Sequence, residues 1–449
     1  MKRVCVINRG EIACNIIKAI HEVGMKAIAL YSKADESSMH VSMADEAYFI
    51  GDAAATKSYL NVPVVLEVLK ENNIDAVHPG YGFLSENSNF SNAVIALGIK
   101  WIGPSAENMS LMSKKDVAIK VAKEAGASVL ENSECLDITS IKDIVSKANQ
   151  ITYPLLIKAV SGGGGIGMKL VENEEQLKVD ALATAKMAQA AFGDGSIYLE
   201  KYIQEARHIE IQVFGFEDEV LHFYERECSI QRRFQKVLEE THACNISADK
   251  IAQIADDAVK IANHISYQGA GTVEFIYDNI SKKHYFLEMN TRIQVEYPVT
   301  QNCTDTKLLE LQIQYAFGLH KKMKQKNIIH RGHSMQCRIY AENPKLNFMP
   351  SPGILSELFF VEDSTIEIKT GVKKGDKITH YYDPMIAKIV VTGKSRDDAL
   401  KNMLRALNNI TIEGVNTNVE FLKNILNTEE FKKGEISTQF ISKHLKKLI

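Results

Sequence analysis

The stretch FLEMNTRIQVEYP, residues 286–298, decides how the rest of the chain is read. Its even positions are Glu288, Asn290, Arg292, Gln294 and Glu296; its odd positions are Leu287, Met289, Thr291, Ile293 and Val295. In an extended chain successive side chains point to opposite faces. That reading puts carboxylates, amides and a guanidinium on one face over mostly apolar backing. A solvated strand face would alternate in the same way. Against it, the polar face has no Lys, Ser or Thr, the usual filler of a wet surface. Hard oxygen donors gather at one end (Glu288, Asn290), and an anion-binding fork stands beside a candidate base at the other (Arg292, Glu296). The pattern is that of an active-site strand.

Working outward, a lone acid, Glu274, sits between Val273 and Phe275 in GTVEFIYD (271–278). Alone it reads equally well as a paired structural charge. With Glu288 and Asn290 it completes a hard-oxygen set suited to Mg²⁺, which prefers carboxylates plus substrate phosphates. HIEIQVFGF (208–216), EVLHFYERECS (219–229) and HYFLEMN (284–290) have the pattern of antiparallel strands, with a helix over 248–264. Further upstream, YPLLIKAVSGGGGIGMKLV (153–171) is a strand carrying Lys158 followed by a glycine loop at 161–167. Consecutive glycines let backbone N–H groups turn inward around an anion. GxxxxGK[ST] is absent, so this is no P-loop, and a flexible linker rarely separates two β-patterned segments. A phosphate-covering hairpin is expected. IYLEKYI (197–203) is a strand or hinge.

Residues 1–110 alternate strands (4–8, 27–31, and DAVHPGYG at 75–82, a strand running into a glycine-rich turn) with helices (11–23, 63–70), the pattern of a doubly wound α/β unit. The first loop, NRGEIA, lacks GxGxxG, so a dinucleotide site is not expected there. Helices are expected over 113–126, 137–150 and 307–317. A basic polar stretch at 320–333 marks a boundary. Beyond it strands run from SMQCRIYAEN (334–343) to YYDPMIAKIVV (381–391), then helices at 397–408 and 417–426. The tail KHLKKLI reads as a solvated charge run. The expected fold is α/β in three parts. They are a doubly wound domain (1–112), a central domain (113–328, its lid at about 131–203) and a mixed α/β domain (329–449).

At 449 residues the chain is too long for one core. Its 45% hydrophobic and 24% charged residues are ordinary for a globular protein. A net charge of −3 gives no reason to expect nucleic acid or an anionic membrane as partner. No apolar run approaches the roughly 20 residues of a spanning helix, and no signal-like segment follows Met1-Lys2-Arg3. The cysteines at 5, 14, 135, 228, 244, 303 and 337 include no CxxC pair, which argues against a zinc or disulfide framework. A reducing, cytoplasmic compartment is expected.

Taken together, NRGEIA, HPGYGFLSEN, GGGGxGM, EKY, RHIEIQV, ERECSIQRR through Lys236, GTVEFIY, EMNTRIQVE, RGH, CRI, PSPG and YYDPMIAK resemble the biotin carboxylase subunit of biotin-dependent, acetyl-CoA-type carboxylases, with the ATP-grasp fold. The resemblance covers nearly the whole length. It implies ATP-dependent carboxylation, with bicarbonate, of biotin held on a separate carrier protein. The carboxyltransferase is then a further chain, and a homodimer is implied.

Residue by residue, the resemblance puts Lys115 and Lys158 on the ATP phosphates, with Gly163, Gly164, Gly165 and Met168 in the lid above them. Glu200, Lys201, Tyr202 and Ile203 match the adenine hinge; His208, Gln231 and Phe234 match ribose-side positions; Ile276 matches a base contact. Glu274, Glu288 and Asn290 match ligands of Mg²⁺ or Mn²⁺. Lys236, Arg292, Gln294 and Val295 match the bicarbonate site, Glu296 the base, Arg338 the group that steadies the biotin enolate, and Tyr81 a neighbour of biotin.

Departures stand beside these matches. Ile166 replaces a usual Arg or Lys, Phe234 a His found in some members, Tyr297 a His, THAC (241–244) a small/Pro run, and Gln336 an acid. Asn15, Glu367 and Lys369 fall where Arg, Arg and an acid are usual, near the family's dimer face. Two alternatives remain: another ATP-grasp ligase that activates a different carboxylate, and a nucleotide-binding regulatory subunit without turnover. Met168-Lys169-Leu170 superficially matches a biotin-accepting turn, but it ends the glycine lid and begins a strand.

Overall fold

The structure is a computed structural model that describes residues 1–136, 138, 140–161 and 167–449. Strands β1 (Arg3–Val6), β2 (Lys26–Tyr31), β3 (Glu46–Phe49), β4 (Ala76–His78) and β5 (Lys100–Trp101) form a parallel sheet in the order β3-β2-β1-β4-β5. Strand order reverses between β1 and β4, and ligand crevices in open α/β sheets lie outside the strand ends at such a point. Two loops meet there. Asn8 Nδ2 donates to the carbonyls of Pro79 and Tyr81, each at 2.7 Å. Gly80 has φ +65°, and a Cβ on it would lie 2.9 Å from Asn8 Nδ2, so only glycine fits. The helix Gly10–Glu22 buries Ile12, Ile16, Ile17 and Ile20 against this sheet, which sets Glu11 beside Tyr81.

Next in the chain, β6 (Leu155–Ala159), β7 (Met168–Val171) and β8 (Ile197–Lys201) form a small antiparallel sheet in the order β7-β6-β8. It packs on the helices Ile141–Ile151 and Glu174–Phe192. The expected hairpin strands are present, with Lys158 opposite Met168. The loop positions Gly163, Gly164, Gly165 and Ile166 lie outside the described residues.

The main sheet is antiparallel and eight-stranded. Its members are β9 (Ala206–Gly215), β10 (Val220–Arg232), β11 (Gln235–Thr241), β12 (Gly269–Asp278), β13 (His284–Asn290), β14 (His333–Tyr340) and the strands Ile366–Thr370 and Met385–Gly393. The order is β13-β12-β9-β10-β11-β14, then Met385–Gly393, then Ile366–Thr370. Hydrogen bonding therefore runs unbroken from the central segment into the third across the β11–β14 pair.

Three expectations need correction. The strand read through residues 286–298 ends at Asn290; residues 291–296 are bends, turn and coil, and a helix, Tyr297–Thr304, begins with Pro298 in its first turn. Proline pre-sets helical φ there and ends the ladder. The helix expected over 113–126 breaks at Lys114, whose ψ of 118° is extended, into Ala106–Ser113 and Lys115–Glu124. The tail is no free charge run: Phe440–Leu448 is a helix that buries Phe440, Ile441 and Leu448. Its lysines hid the apolar period.

Candidate active site

Strand register builds the site. Glu274 of β12 lies opposite Glu288 of β13 on one side and Glu210 of β9 on the other, so three acids stand side by side. The β10–β11 hairpin puts Lys236 opposite Gln231, and its Nζ reaches Glu210 (2.5 Å), Glu274 (2.9 Å) and Glu296 (2.6 Å). Arg338 of β14 donates to Glu239 of β11 (2.6 Å) and to Glu296 Oε2 (3.0 Å). Glu296, fully buried at the N-cap of the helix Tyr297–Thr304, is thus gripped by both cations.

The coil after β13 does by bending what alternation was expected to do. Arg292 donates to Gln294 Oε1 (2.8 Å), Asn290 Oδ1 (3.0 Å) and Glu86 Oε2 (2.9 Å). Asn290 and Gln294 both donate to Glu274 Oε1, at 2.9 and 3.0 Å. The polar side chains of that stretch therefore converge, and side-chain hydrogen bonds rather than a ladder hold the second half.

Electrostatics follow from this crowding. Burial works to raise Glu296, but Lys236 and Arg338 win and hold it well below the ordinary carboxylate range. Burial works against the Lys236 charge, and Glu210, Glu274 and Glu296 more than offset it, raising that lysine. Glu274 is lowered against burial by Lys236 and His208. Glu288 is raised, by burial first and by the neighbouring Glu274 second. A pair of facing carboxylates in which one resists ionisation fits a divalent cation, which would relieve the repulsion. Glu274, Glu288 and Asn290 are the donors suited to hold it. His208, Glu210 and Glu274 also bring ligand atoms close together, but Glu210 is already paired with both Arg226 and Lys236.

Every expected site residue in the described part except Tyr81 lines one cleft of about 430 Å³ between the small sheet and the main sheet. At one end Lys158 is ion-paired with Glu200, and Gln231 Nε2 lies 3.1 Å from His208 Nδ1. Phe234 is 54% exposed at the mouth. Tyr81 lines a second cavity of about 540 Å³, which shares Arg292, Val295 and Arg338 with the first. The site has two chambers that meet at the Glu296 loop.

Sequence reasoning missed Glu86, Glu210, Arg226 and Glu239. Glu210 is wholly buried between Ile209 and Ile211, the same lone-acid signal that exposed Glu274. Arg226 is equally buried, and donates to Gln212 (2.8 Å), Thr272 (3.0 Å) and Thr300 (2.9 Å) besides pairing with Glu210.

A two-chambered cleft between the small β6–β7–β8 sheet and an acid-rich antiparallel sheet is the arrangement of the ATP-grasp fold. Residues 1–109 match the biotin carboxylase N-terminal domain, 114–324 the ATP-binding domain of the carbamoyl-phosphate synthase L chain, and 336–443 the biotin carboxylase C-terminal domain. The chain is 44% identical to biotin carboxylase 1 of Bacillus subtilis over 98% of both chains. It is 42% identical to the mitochondrial methylcrotonoyl-CoA carboxylase subunit alpha of Dictyostelium discoideum, over all of this chain and 64% of that one. Among solved structures, the biotin carboxylase domain dimer of Hydrogenobacter thermophilus 2-oxoglutarate carboxylase, in complex with MgADP, ADP and bicarbonate, superposes with a TM-score of 0.96. It is 38% identical over 100% of this chain and 98% of that one. Biotin carboxylase from Campylobacter jejuni gives 0.95 at 38% identity over 99% of each. The chain belongs to the biotin carboxylase family, whose members are ATP-dependent ligases.

Proposed function

We propose that this chain uses ATP and bicarbonate to carboxylate biotin on a separate carrier protein, as one subunit of a multi-subunit acyl-CoA-type carboxylase. The observation that carries the reading is the convergence of Lys236 and Arg338 on Glu296 where the two cavities meet. Glu296 stays ionised across the neutral range, so its proton-accepting form is fully populated. Arg292 holds a planar oxyanion through parallel donors, which an ammonium cannot do. Bicarbonate, bound by Lys236, Arg292, Gln294 and Val295, loses its proton to Glu296 and attacks the γ-phosphorus, breaking its bond to the β–γ bridging oxygen, so that carboxyphosphate forms and ADP leaves. Lys115 and Lys158 steady the phosphates, and Glu200, Lys201, Tyr202, Ile203, His208, Gln231, Phe234 and Ile276 take the nucleoside. When bound between Glu274, Glu288 and Asn290, Mg²⁺ or Mn²⁺ supplies charge neutralisation on the phosphates. Arg338 and Tyr81 serve biotin in the second chamber. Carboxyphosphate hydrolyses readily, so the reaction needs water excluded from the cleft.

Biotin on a separate carrier fits the placement of Lys169, which lies within β7 opposite Ile157 rather than at an exposed turn. The dimer named for the Hydrogenobacter domain supports a homodimer. The Glu367–Lys369 pair closes within one chain at 2.6 Å, so the reversed charges near that face are already matched. Among the described residues no helix is long and apolar enough to cross a membrane.

The test is phosphate release from Mg-ATP by purified protein, with and without bicarbonate and free biotin. Release that requires both supports the reading. ATP binding without release, unchanged by a biotinylated carrier, would favour a regulatory subunit; carboxylation of acyl-CoA or 2-oxo acid by the reconstituted complex decides the acceptor.

A further inference from the structure

Behind the catalytic loop lies a row of three cations. Lys388, on the strand Met385–Gly393, stands directly opposite Arg338 on one neighbouring strand and Lys369 on the other. Like charges directly opposite in a sheet repel. Each has its own acid: Arg338 has Glu239 and Glu296, Lys369 has Glu367, and Lys388 has Glu11 at 2.8 Å. Lys388 is wholly buried, and an ammonium there costs more than an apolar side chain of the same length. Its Nζ also donates to the main-chain carbonyl of Val295 at 2.9 Å and lies 5.0 Å from the centre of the Tyr297 ring.

That carbonyl belongs to the rigid peptide plane whose other half is the N–H of Glu296. Glu296 itself has φ −87° and ψ 8°, in the sparsely populated bridge region. Nothing in a regular ladder holds residues 291–296, so an anchor on the 295–296 peptide sets the direction in which the Glu296 side chain leaves the backbone. We propose that Lys388 is a positioning residue for Glu296, fixing the Val295–Glu296 peptide plane through its hydrogen bond to the Val295 carbonyl. This rests on the reading of Glu296 as the base. The same ammonium, through Glu11, ties the loop to Tyr81 and Asn15, both of which donate to that carboxylate. The two chambers are thereby held by one buried group.

The rival is that Lys388 only neutralises Glu11. The experiment compares the full-length wild type with Lys388→Met, Glu11→Gln and the double variant. It reads kcat for bicarbonate-dependent ATP cleavage with free biotin present, KM for ATP and thermal unfolding. The single Lys388→Met strands a buried carboxylate, so the double variant, which removes both charges, is the decisive one. In it kcat falls about 30-fold while KM for ATP stays within about twofold. Glu11→Gln alone leaves Nζ free to donate to Val295 and keeps kcat within about threefold. A double variant with wild-type kcat would overturn the proposal, as would kcat and ATP affinity lost in equal measure. Failure of the wild type to cleave ATP with both bicarbonate and free biotin present is a separate result, read from the wild-type arm before any variant is compared; it overturns the base assignment and this inference with it.

Discussion

Successive residues of β11, Glu239 and Glu240, are both buried acids, yet they face opposite sides of the sheet and lead different lives. Glu240 is saturated. Arg396 clasps it with two donors (2.8 and 3.1 Å), and His333 Nε2 lies at 2.8 Å. His333 accepts the main-chain N–H of His242 at Nδ1, which leaves Nε2 as the donor to Glu240. Burial would raise the Glu240 carboxyl, but His333 and Arg396 bring it down to about 2. Glu239 shares. It has Arg338 and a bond from Gln336 (3.0 Å), but Arg338 also serves Glu296, and Glu239 is raised by burial with Arg338 only partly compensating. The closed network is a structural clamp. The open one has more acids than cations, the imbalance that leaves room for an incoming charge.

The sharpest way to break this comparison is Glu296→Gln. Removal of the base should lower bicarbonate-dependent ATP cleavage by about 10³-fold while ATP binding stays within a few-fold, measured by phosphate release and nucleotide titration. A near-normal rate would take Glu296 out of the base role. Arg338→Ala comes next: biotin carboxylation should fall about 10²-fold, and ATP cleavage distinctly less. Equal losses would move that arginine onto bicarbonate or phosphate.

On the other face of β11, Glu240→Gln should act on stability rather than chemistry. It should cost about 2 kcal/mol in denaturant unfolding, with kcat little changed, because the half-buried Arg396 guanidinium and the buried His333 lose their shared partner. A rate loss larger than the stability loss would show that the two faces are not separate. The smallest effect is a pH signature. The folded Glu240 carboxyl lies below its unfolded value, so its contribution is present above about pH 4.5 and lost as pH falls toward about 2. Acid unfolding of Glu240→Gln should therefore be shallower than that of the wild type across that window.

Much of this was legible before any coordinates. Lone acids in apolar strands betrayed Glu274, and the same rule applied to HIEIQV would have found Glu210. Alternation grouped Glu288, Asn290, Arg292, Gln294 and Glu296 correctly for a partly wrong reason. The strand stops at Asn290, and a bent coil held by side-chain bonds brings the rest to the same place. Glu239 and Glu240 look alike in sequence, because local pattern records burial and periodicity but not which distant cation arrives.

By itself the sequence determined the α/β class, the strands that carry the acids and the strands flanking the glycine loop, since these follow from short-range periodicity and backbone preference, while most of the side chains that line the cleft were named from the family resemblance. Tertiary structure alone decided that Lys236 and Arg338 meet on Glu296, that Lys388 reaches the Val295 carbonyl, and that one acid of a neighbouring pair is clamped while the other is shared. Those contacts join residues 42 to 156 positions apart, and only strand register and packing bring such charges within a few ångströms.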